Sequence, residues 1–211
     1  EKAARGGKIS AISLTDSPGG FPALMADCLA KEIRALGIEP LVHFTCKDKN
    51  RCQIESQLYA LERAGVRNLL VMSGDYPVAG FMGRPRPVFD LDPTHVLELI
   101  RSLNNGLEYP LQKGSGTLRP GHFFAGAAVS PFKETEAELL GQYCKLGKKI
   151  NAGASFIVTQ LGYDVRKFHE LLMYMQMRGF DVPLVGNIFI LTYGAARAMK
   201  ENRIPGCVVT D

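Results

Sequence analysis

The stretch Ser155-Phe-Ile-Val-Thr-Gln-Leu-Gly-Tyr-Asp164 is a short apolar run that ends in an amide side chain, Gln160. A run of this length, rich in β-branched and aromatic residues, predicts a buried strand. Two earlier runs share the design: residues 68–75 end in the carboxylate of Asp75, and residues 40–46 end in a hydroxyl and a thiol. Ligands of parallel sheets bind beyond the carboxyl ends of the strands, so these three ends predict one shared site.

Candidate strands and helices alternate along the whole chain, at roughly thirty residues per strand and helix. Strands are expected to begin near Ile9, Pro40, Asn68, Phe123, Phe156 and Leu184. Helices are expected over 21–36, 53–64, 94–103, 135–152 and 165–178, four of which are followed by a glycine that suits a helix end. This alternation predicts an α/β fold with a parallel sheet.

Length and composition indicate a single soluble domain spanning residues 1–211, since 46% of the residues are apolar and 22% are charged. The net charge of +4 is mild, and no basic run with interleaved aromatic residues indicates nucleic-acid binding. No apolar stretch has the length of a membrane span, and residues 1–8 lack the apolar segment of a signal peptide. Five cysteines without a Cys-x-x-Cys pair favour a reducing cytoplasm and no metal site.

Two long stretches rich in proline and glycine interrupt this pattern, at 76–87 and at 109–121. Long irregular loops inside a compact domain are usually functional or mobile. The first of them follows the carboxyl end of a predicted strand, and that position would let it close over a ligand.

Four segments follow one another in an order that is also informative. They are Pro40-Leu-Val-His-Phe-Thr-Cys46, Leu70-Val-Met-Ser-Gly-Asp-Tyr-Pro77, Lys149-Ile-Asn-Ala-Gly-Ala-Ser-Phe-Ile-Val-Thr-Gln-Leu-Gly-Tyr-Asp164 and Pro183-Leu-Val-Gly-Asn-Ile-Phe-Ile-Leu191. Together they resemble the methylenetetrahydrofolate reductase family, in its bacterial type. The resemblance covers about residues 9–206, and its most specific part is the block 152–160 followed by Asp164.

The resemblance implies a TIM-type (β/α)8 barrel that holds a flavin, FAD with FMN as the alternative, across the carboxyl ends of its strands. Electrons would come from NADH, NADPH or an electron-transfer partner protein. The folate would then take a hydride, so that 5,10-methylenetetrahydrofolate becomes 5-methyltetrahydrofolate. Such an oxidoreductase belongs to one-carbon metabolism and methionine biosynthesis.

The resemblance also assigns roles to residues. Asp75 would lie near the flavin and the folate and favour hydride donation, and Gln160 would bind the arriving pterin or nicotinamide, so both are implied as catalytic and substrate-binding. Lys149 would pair with a flavin phosphate. The remaining implied flavin contacts are Thr15, His43, Ser73, Gly74, Asp75 itself, Phe89 and Ser130. Ser73 and Ser130 stand where the family often has arginine and tyrosine.

Plainer interpretations and other functions stay open from the sequence. Asp75 lies in a Gly-Asp-x-Pro segment that suits a turn, and His43 is as well explained by packing inside a strand. One alternative function is a flavin-free, pterin-dependent methyltransferase barrel. Another is a non-catalytic barrel subunit of an electron-transfer complex.

The number of strands is the last expectation. The predicted strands number six or seven, whereas a closed barrel of this type has eight, and the family's first strand, with its acidic general acid, has no counterpart here. The first and last strands are therefore expected to be absent from this chain. Strands over 9–14 and 184–191 would then have open edges, which favour association into an oligomer.

Overall fold

The computed structural model describes residues 6, 9–78, 83–201, 203–204 and 207. Its elements are, in chain order, strand β1 (Ala11–Leu14), a 3₁₀ turn (Pro18–Gly20), helix α1 (Ala26–Ala35), β2 (Glu39–Thr45), α2 (Arg51–Arg63), β3 (Asn68–Met72), α3 (Pro93–Asn104), β4 (Glu108–Pro110), β5 (Ser115–Thr117), β6 (Phe124–Val129), α4 (Glu136–Asn151), β7 (Phe156–Thr159), α5 (Val165–Met177), β8 (Leu184–Val185) and α6 (Tyr193–Lys200). The chain divides into two compact units, Glu1–Gly126 and Ala127–Asp211, and the division falls inside β6.

The first unit is built on parallel strands in the order β1-β2-β3-β6. Leu14 pairs with Val42 and Val42 with Leu69, so these residues share one face of the sheet. This face is buried, since Val42 and Leu69 are both fully inaccessible to solvent. Helix α1 packs on β1 and β2, and α3 packs on β3. Because β1, β2 and β3 pair in parallel, their carboxyl ends lie along one edge of this unit.

The second unit continues from the last residues of β6 through β7 to β8, again with parallel pairing. Backbone bonds define its strand ends: Gln160 N donates to Val129 O at 2.6 Å, and Ile157 N donates to Pro183 O at 2.8 Å. A small apolar cluster of Leu161, Met199 and Cys207 packs against Leu191 and Ile204.

Five of the helices begin with a side chain that accepts a hydrogen bond from the first turn. The capping residues are Asn50, Asp92, Thr135, Asp164 and Thr192. At Thr135 the cap is reciprocal, because Glu138 also bonds back to the Thr135 backbone. These caps explain why the helical patterns start where they do.

The predicted α/β fold with a parallel sheet is confirmed, and every predicted strand and helix has a counterpart. Three expectations about its extent were wrong. The first helix begins at Ala26 and not at residue 21, because Pro22 holds Phe21 in an extended conformation. The strand expected over 184–191 ends at Val185. The stretch 109–121 was expected to be irregular but contains the antiparallel hairpin β4–β5.

Helix α6 was not predicted from the sequence. The loop that was expected to close over a ligand includes residues 79–82, which lie outside the described residues. No helix among the described residues combines the length and the apolar character that crossing a membrane requires.

Candidate functional site

A carboxylate-centred cluster occupies the carboxyl ends of β1 and β2 in the first unit. Asp16 Oδ2 accepts from Thr45 Oγ1 at 2.6 Å and from Lys49 Nζ at 2.9 Å. Burial raises the pKa of Asp16, but the Lys49 charge and the Thr45 hydrogen bond outweigh it, so the pKa lies below its usual value. Lys49 also lies 4.7 Å above the centre of the Phe44 ring. The positive charge of Lys49 thus neutralises the negative charge of Asp16, and the cluster links the ends of β1 and β2.

The turn after β3 is held against the end of β2. Cys46 N donates to Met72 O at 3.1 Å and to Ser73 O at 3.2 Å. Gly74 has a positive φ of 83°, and a Cβ atom there would lie 2.8 Å from Lys47 Cδ, so this position requires glycine. Lys47 is only 2% exposed and pairs with Asp48. This packing presents Asp75 to solvent, where its carboxylate has no partner among the described residues.

His43 lies on the opposite face of β2 from Val42 and is half-buried. Its Nε2 atom is 2.5 Å from Ser13 Oγ, across the pair of strands β1 and β2. Burial lowers the pKa of His43, and the negative charge of Asp16 only partly offsets this effect. His43 is therefore a neutral, hydrogen-bonding group at neutral pH. Thr15 is exposed and directly follows the last residue of β1, one position beyond the pairing of Leu14 with Val42.

The aromatic residue expected near the adenosine part of a flavin, Phe89, is half-buried with a positive φ of 45°. Its ring meets the Tyr76 ring edge to face, with the centroids 5.3 Å apart. The backbone next to it is fixed as well, since Val88 N donates to Lys47 O at 2.8 Å. A strained conformation at an aromatic residue that contacts the loop after Asp75 is typical of a ligand-facing position.

In the second unit Ser130 and Gln160 follow directly on the ends of neighbouring strands, β6 and β7. The Gln160 side chain turns back on its own backbone, where Oε1 accepts from Leu161 N at 2.9 Å. The Ser130 hydroxyl is buried and has no hydrogen-bond partner among the described residues. An unsatisfied buried hydroxyl costs stability, so a ligand group or an ordered water that bonds to it would be favoured.

Lys149, near the end of α4, donates from Nζ to Ala128 O at 2.7 Å. Its ammonium thus lies beside the last residues of β6, close in sequence to Ser130. Lys145 and Lys148 on the same helix are exposed.

An apolar cavity of about 250 Å³ lies beyond β7 in the same unit. Its lining includes Phe132, Thr159, Tyr163, Phe168 and Asn187. Gly162 has to be glycine, because a Cβ atom there would overlap the Phe132 ring. Thr159 Oγ1 accepts from Asn187 N at 3.0 Å, and Tyr163 donates to Phe189 O at 2.6 Å, which ties the segment after β8 to the end of β7.

The structure brings the predicted residues to strand ends, unit by unit. In the first unit, six predicted residues lie in the carboxyl-terminal halves of strands or in the loops that follow them: Thr15, His43, Ser73, Gly74, Asp75 and Phe89. In the second unit, two predicted residues directly follow strands: Ser130 and Gln160. Sequence reasoning missed Asp16, Lys47 and Lys49, which support the first group. Their only sequence signal was their position directly after predicted strands.

Comparison with known proteins decides the family. A family model described as methylenetetrahydrofolate reductase matches residues 2–207. The chain belongs to the methylenetetrahydrofolate reductase family. The predicted resemblance is thereby confirmed, and it includes a bacterial relative: the chain is 26% identical over 153 residues to a 5,10-methylenetetrahydrofolate reductase of Pectobacterium carotovorum subsp. carotovorum, covering 72% of this chain and 44% of that protein.

Eukaryotic members of the methylenetetrahydrofolate reductase family are similar to the chain as well. It is 29% identical over 194 residues to methylenetetrahydrofolate reductase 2 of Saccharomyces cerevisiae, covering 88% of this chain and 29% of that protein. It is 24% identical to a probable methylenetetrahydrofolate reductase (NADPH) of Caenorhabditis elegans, covering 100% of this chain and 31% of that protein. The chain therefore spans about a third of the length of these two relatives.

A solved structure shares the fold at low sequence identity. It is an uncharacterized protein from Clostridium thermocellum that binds two copies of 5-methyl-5,6,7,8-tetrahydrofolic acid. The TM-score is 0.57 at 12% identity, and the match covers 87% of this chain and 56% of that one.

Proposed function

We propose that this chain supplies flavin- and folate-binding residues of a methylenetetrahydrofolate reductase, which reduces 5,10-methylenetetrahydrofolate to 5-methyltetrahydrofolate. The observation that carries the proposal is the family match over residues 2–207. The parallel sheet with its crossover helices belongs, in this proposal, to a TIM-type barrel, and residues 1–211 form part of one reductase domain. A TM-score of 0.57 to a folate-binding protein supports this choice of fold.

The residues present suit a flavin, as the family's chemistry requires. The buried Ser130 hydroxyl has no hydrogen-bond partner among the described residues, so it is a polar group that a ligand would satisfy. We assign FAD contacts to Thr15, His43, Ser73, Gly74, Asp75 and Phe89 in the first unit, and to Ser130 and Lys149 in the second. When bound, the flavin supplies hydride transfer between the nicotinamide and the folate. FMN is the alternative that a cofactor extraction distinguishes.

Two residues are assigned to the substrates. Asp75 keeps a solvent-facing carboxylate, and a negative charge near the flavin would disfavour its anionic reduced form and favour donation of the hydride. Among the described residues, Gln160 uses only its side-chain oxygen in a hydrogen bond, and the amide N–H groups would then bind a pterin or a carboxamide. The electron donor is NADH or NADPH, and the names of two relatives include one of each.

A second candidate is a flavin-free methyltransferase that uses 5-methyltetrahydrofolate as its substrate. The likeness to the Clostridium thermocellum structure favours it, because that protein binds the methylated folate. Both candidates bind a folate at a barrel's strand ends, so the presence of flavin and the reaction catalysed separate them.

The decisive test is cofactor extraction from the purified protein, followed by an absorbance spectrum and a rapid-mixing assay with NADH or NADPH and methylenetetrahydrofolate. Bound flavin that is reduced by the nicotinamide and reoxidised by the folate supports the reductase. Absence of flavin binding even after addition of FAD, together with methyl transfer from methyltetrahydrofolate, would overturn it.

Ser130→Ala separates a ligand role from a structural one. Removal of an unsatisfied buried hydroxyl should leave the free energy of unfolding unchanged or raise it, because no hydrogen bond within the protein is lost. If the hydroxyl contacts FAD, the same variant should bind FAD several-fold more weakly. Ser102→Ala is the matched control, since Ser102 Oγ donates to Glu98 O within α3. Unchanged FAD affinity in Ser130→Ala would remove Ser130 from the proposed site.

A further inference from the structure

A second cavity lies in the first unit, away from the strand ends described above. It has a volume of about 320 Å³, within the range of small-molecule sites of roughly 300–1,000 Å³. Its lining residues come from the ends of α2 and α3 and from the segment that leads into β6: Tyr59, Glu62, Arg63, Leu103, Leu118, Arg119, Gly121 and Phe123. Phe124 N, next to this lining, donates to Arg67 O just before β3. The cavity is therefore at the amino ends of β3 and β6.

The floor of this cavity is apolar and well fixed. Leu103 and Phe123 are only 5% and 7% exposed, so their side chains belong to the core and present a packed surface. Asn104 clamps the segment before β6 through two bonds: its Nδ2 donates to Phe123 O at 2.8 Å, and its Oδ1 accepts from Phe123 N at 2.9 Å. A preformed apolar floor lowers the ordering cost of binding a flat ligand.

The rim of the cavity carries two guanidinium groups, those of Arg63 and Arg119. Neither Arg63 nor Arg119 makes a side-chain hydrogen bond or ion pair to any residue that the structure describes. The carboxylate in the lining, Glu62, is already engaged, because its two oxygens accept from His122 Nδ1 at 2.9 Å and His122 N at 3.2 Å. The rim therefore has an excess of positive charge.

The helix ends at this cavity do not cancel that charge. An exposed helix carboxyl end would repel an anion. Here Leu103 O accepts from Gly106 N at 3.1 Å and from Gly121 N at 2.9 Å, and Glu62 O accepts from Gly65 N at 2.9 Å. The terminal carbonyls are thus covered by backbone donors, and the guanidinium groups dominate the rim.

We propose that this cavity binds a small aromatic carboxylate, with its ring on Leu103 and Phe123 and its carboxylate on Arg63 and Arg119. Arginine suits this task because its planar fork bonds a carboxylate with two parallel hydrogen bonds. The site lies at the opposite strand ends from Thr45, Ser73 and Asp75, so it is distinct from the proposed reductase site and does not depend on it.

The test is a titration of the isotope-labelled full chain with a naphthalene carboxylate and with the neutral naphthalene carboxamide, followed by proton–nitrogen correlation spectra. The carboxylate should give saturable shifts at the amides of Leu103, Leu118 and Gly121. Arg63→Gln and Arg119→Gln should each weaken its binding at least threefold, because each removes a charged donor. Both residues are exposed, so the variants should keep the fold, which their own spectra check.

Arg67→Gln is the matched control, since it removes an exposed arginine of the same unit that does not line the cavity. It should leave the affinity unchanged. The proposal is overturned if the neutral carboxamide binds as well as the carboxylate, if Arg67→Gln weakens binding as much as the cavity variants, or if no saturable shift appears. Shifts confined to Thr45, Cys46 and Ser73 would also overturn it, because they would place the probe at the other strand ends.

Discussion

Asp16 and Asp75 are two carboxylates at strand ends of the same unit, yet their surroundings differ in kind. Asp16 is neutralised within the protein by Lys49 and by the Thr45 hydroxyl. Asp75 is exposed, and no described residue bonds to its side chain. Only Asp75 can therefore act on a ligand through an uncompensated charge, whereas Asp16 holds β1 and β2 together.

Asp75→Asn should slow the reduction of the folate more than the reduction of the flavin by the nicotinamide. Removal of the carboxylate makes reduced flavin easier to form and a weaker hydride donor. Rapid-mixing measurement of the two half-reactions checks this, with Asp181→Asn as a control that removes another exposed carboxylate. Equal effects on both half-reactions, or none, would contradict the role of Asp75.

His43 should make the protein less stable as the pH falls below 6.5, the usual pKa of histidine. Burial lowers its pKa in the folded state, so between the two pKa values the unfolded chain binds more protons. The free energy of unfolding therefore increases as the pH rises through this window and decreases as the pH falls through it. Urea denaturation of the protein and of His43→Gln at several pH values measures the difference.

In His43→Gln this pH dependence should be reduced, because no titrating group remains at that position. His169→Gln is the control, since His169 is an exposed residue of α5. A pH profile of unfolding that is the same in the protein and in His43→Gln would show that His43 is not responsible.

The elements that sequence periodicity predicted are those that local chemistry specifies. Helix α4 begins after a reciprocal cap between Thr135 and Glu138, and β2 and β3 are runs with one fully buried face. One of the elements whose extent was wrong depends on a longer-range contact. The strand at Leu184 stops after two residues, because Asn187 N then bonds to the Thr159 side chain and no longer to a strand.

The positions of the candidate site residues were predictable from the sequence, but the contacts that support them were not. Polar residues that follow apolar runs, such as Asp75, Ser130 and Gln160, do lie at strand ends, as parallel topology requires. The bonding of Lys49 to Asp16 and the packing of Lys47 on Gly74 were not predictable, because each joins residues from different strand ends. No local pattern encodes a contact between positions that are about thirty residues apart.

Gly162 lies in the turn that follows β7, and Gly162→Ala should lower the free energy of unfolding by about 1–3 kcal/mol. The new methyl group would overlap the Phe132 ring, and the core there is closely packed. Urea denaturation measures the change, and Phe132→Leu in the same chain should recover part of it, since it makes room for the methyl group.

Gly141→Ala is the matched control for this change, because it lies inside α4 with open space around its Cβ position. It should stabilise the protein by about 0.5–1 kcal/mol, as alanine is the better helix former. Destabilisation by both variants alike would mean that overlap with Phe132 is not the cause.

The chain as a whole carries a net charge of +4. Lys47 and Lys49 lie at the strand ends of the first unit, but each is paired with an aspartate. If the proposed flavin binds at these strand ends, hydrogen bonds and aromatic contacts would therefore hold it more than a general positive field.

At the scale of the whole chain, we expect association through the edge of β8, which pairs with no further described strand. Because Pro183 O accepts from Ile157 N, the alternating backbone groups of Leu184 point away from β7, where no described strand pairs with them. Sedimentation velocity over a range of concentrations should show association. Leu184→Pro should weaken it by removing the outward N–H, whereas Leu184→Ala, which keeps that N–H, should not. A protein that stays monomeric throughout, or two variants that behave alike, would contradict association through β8.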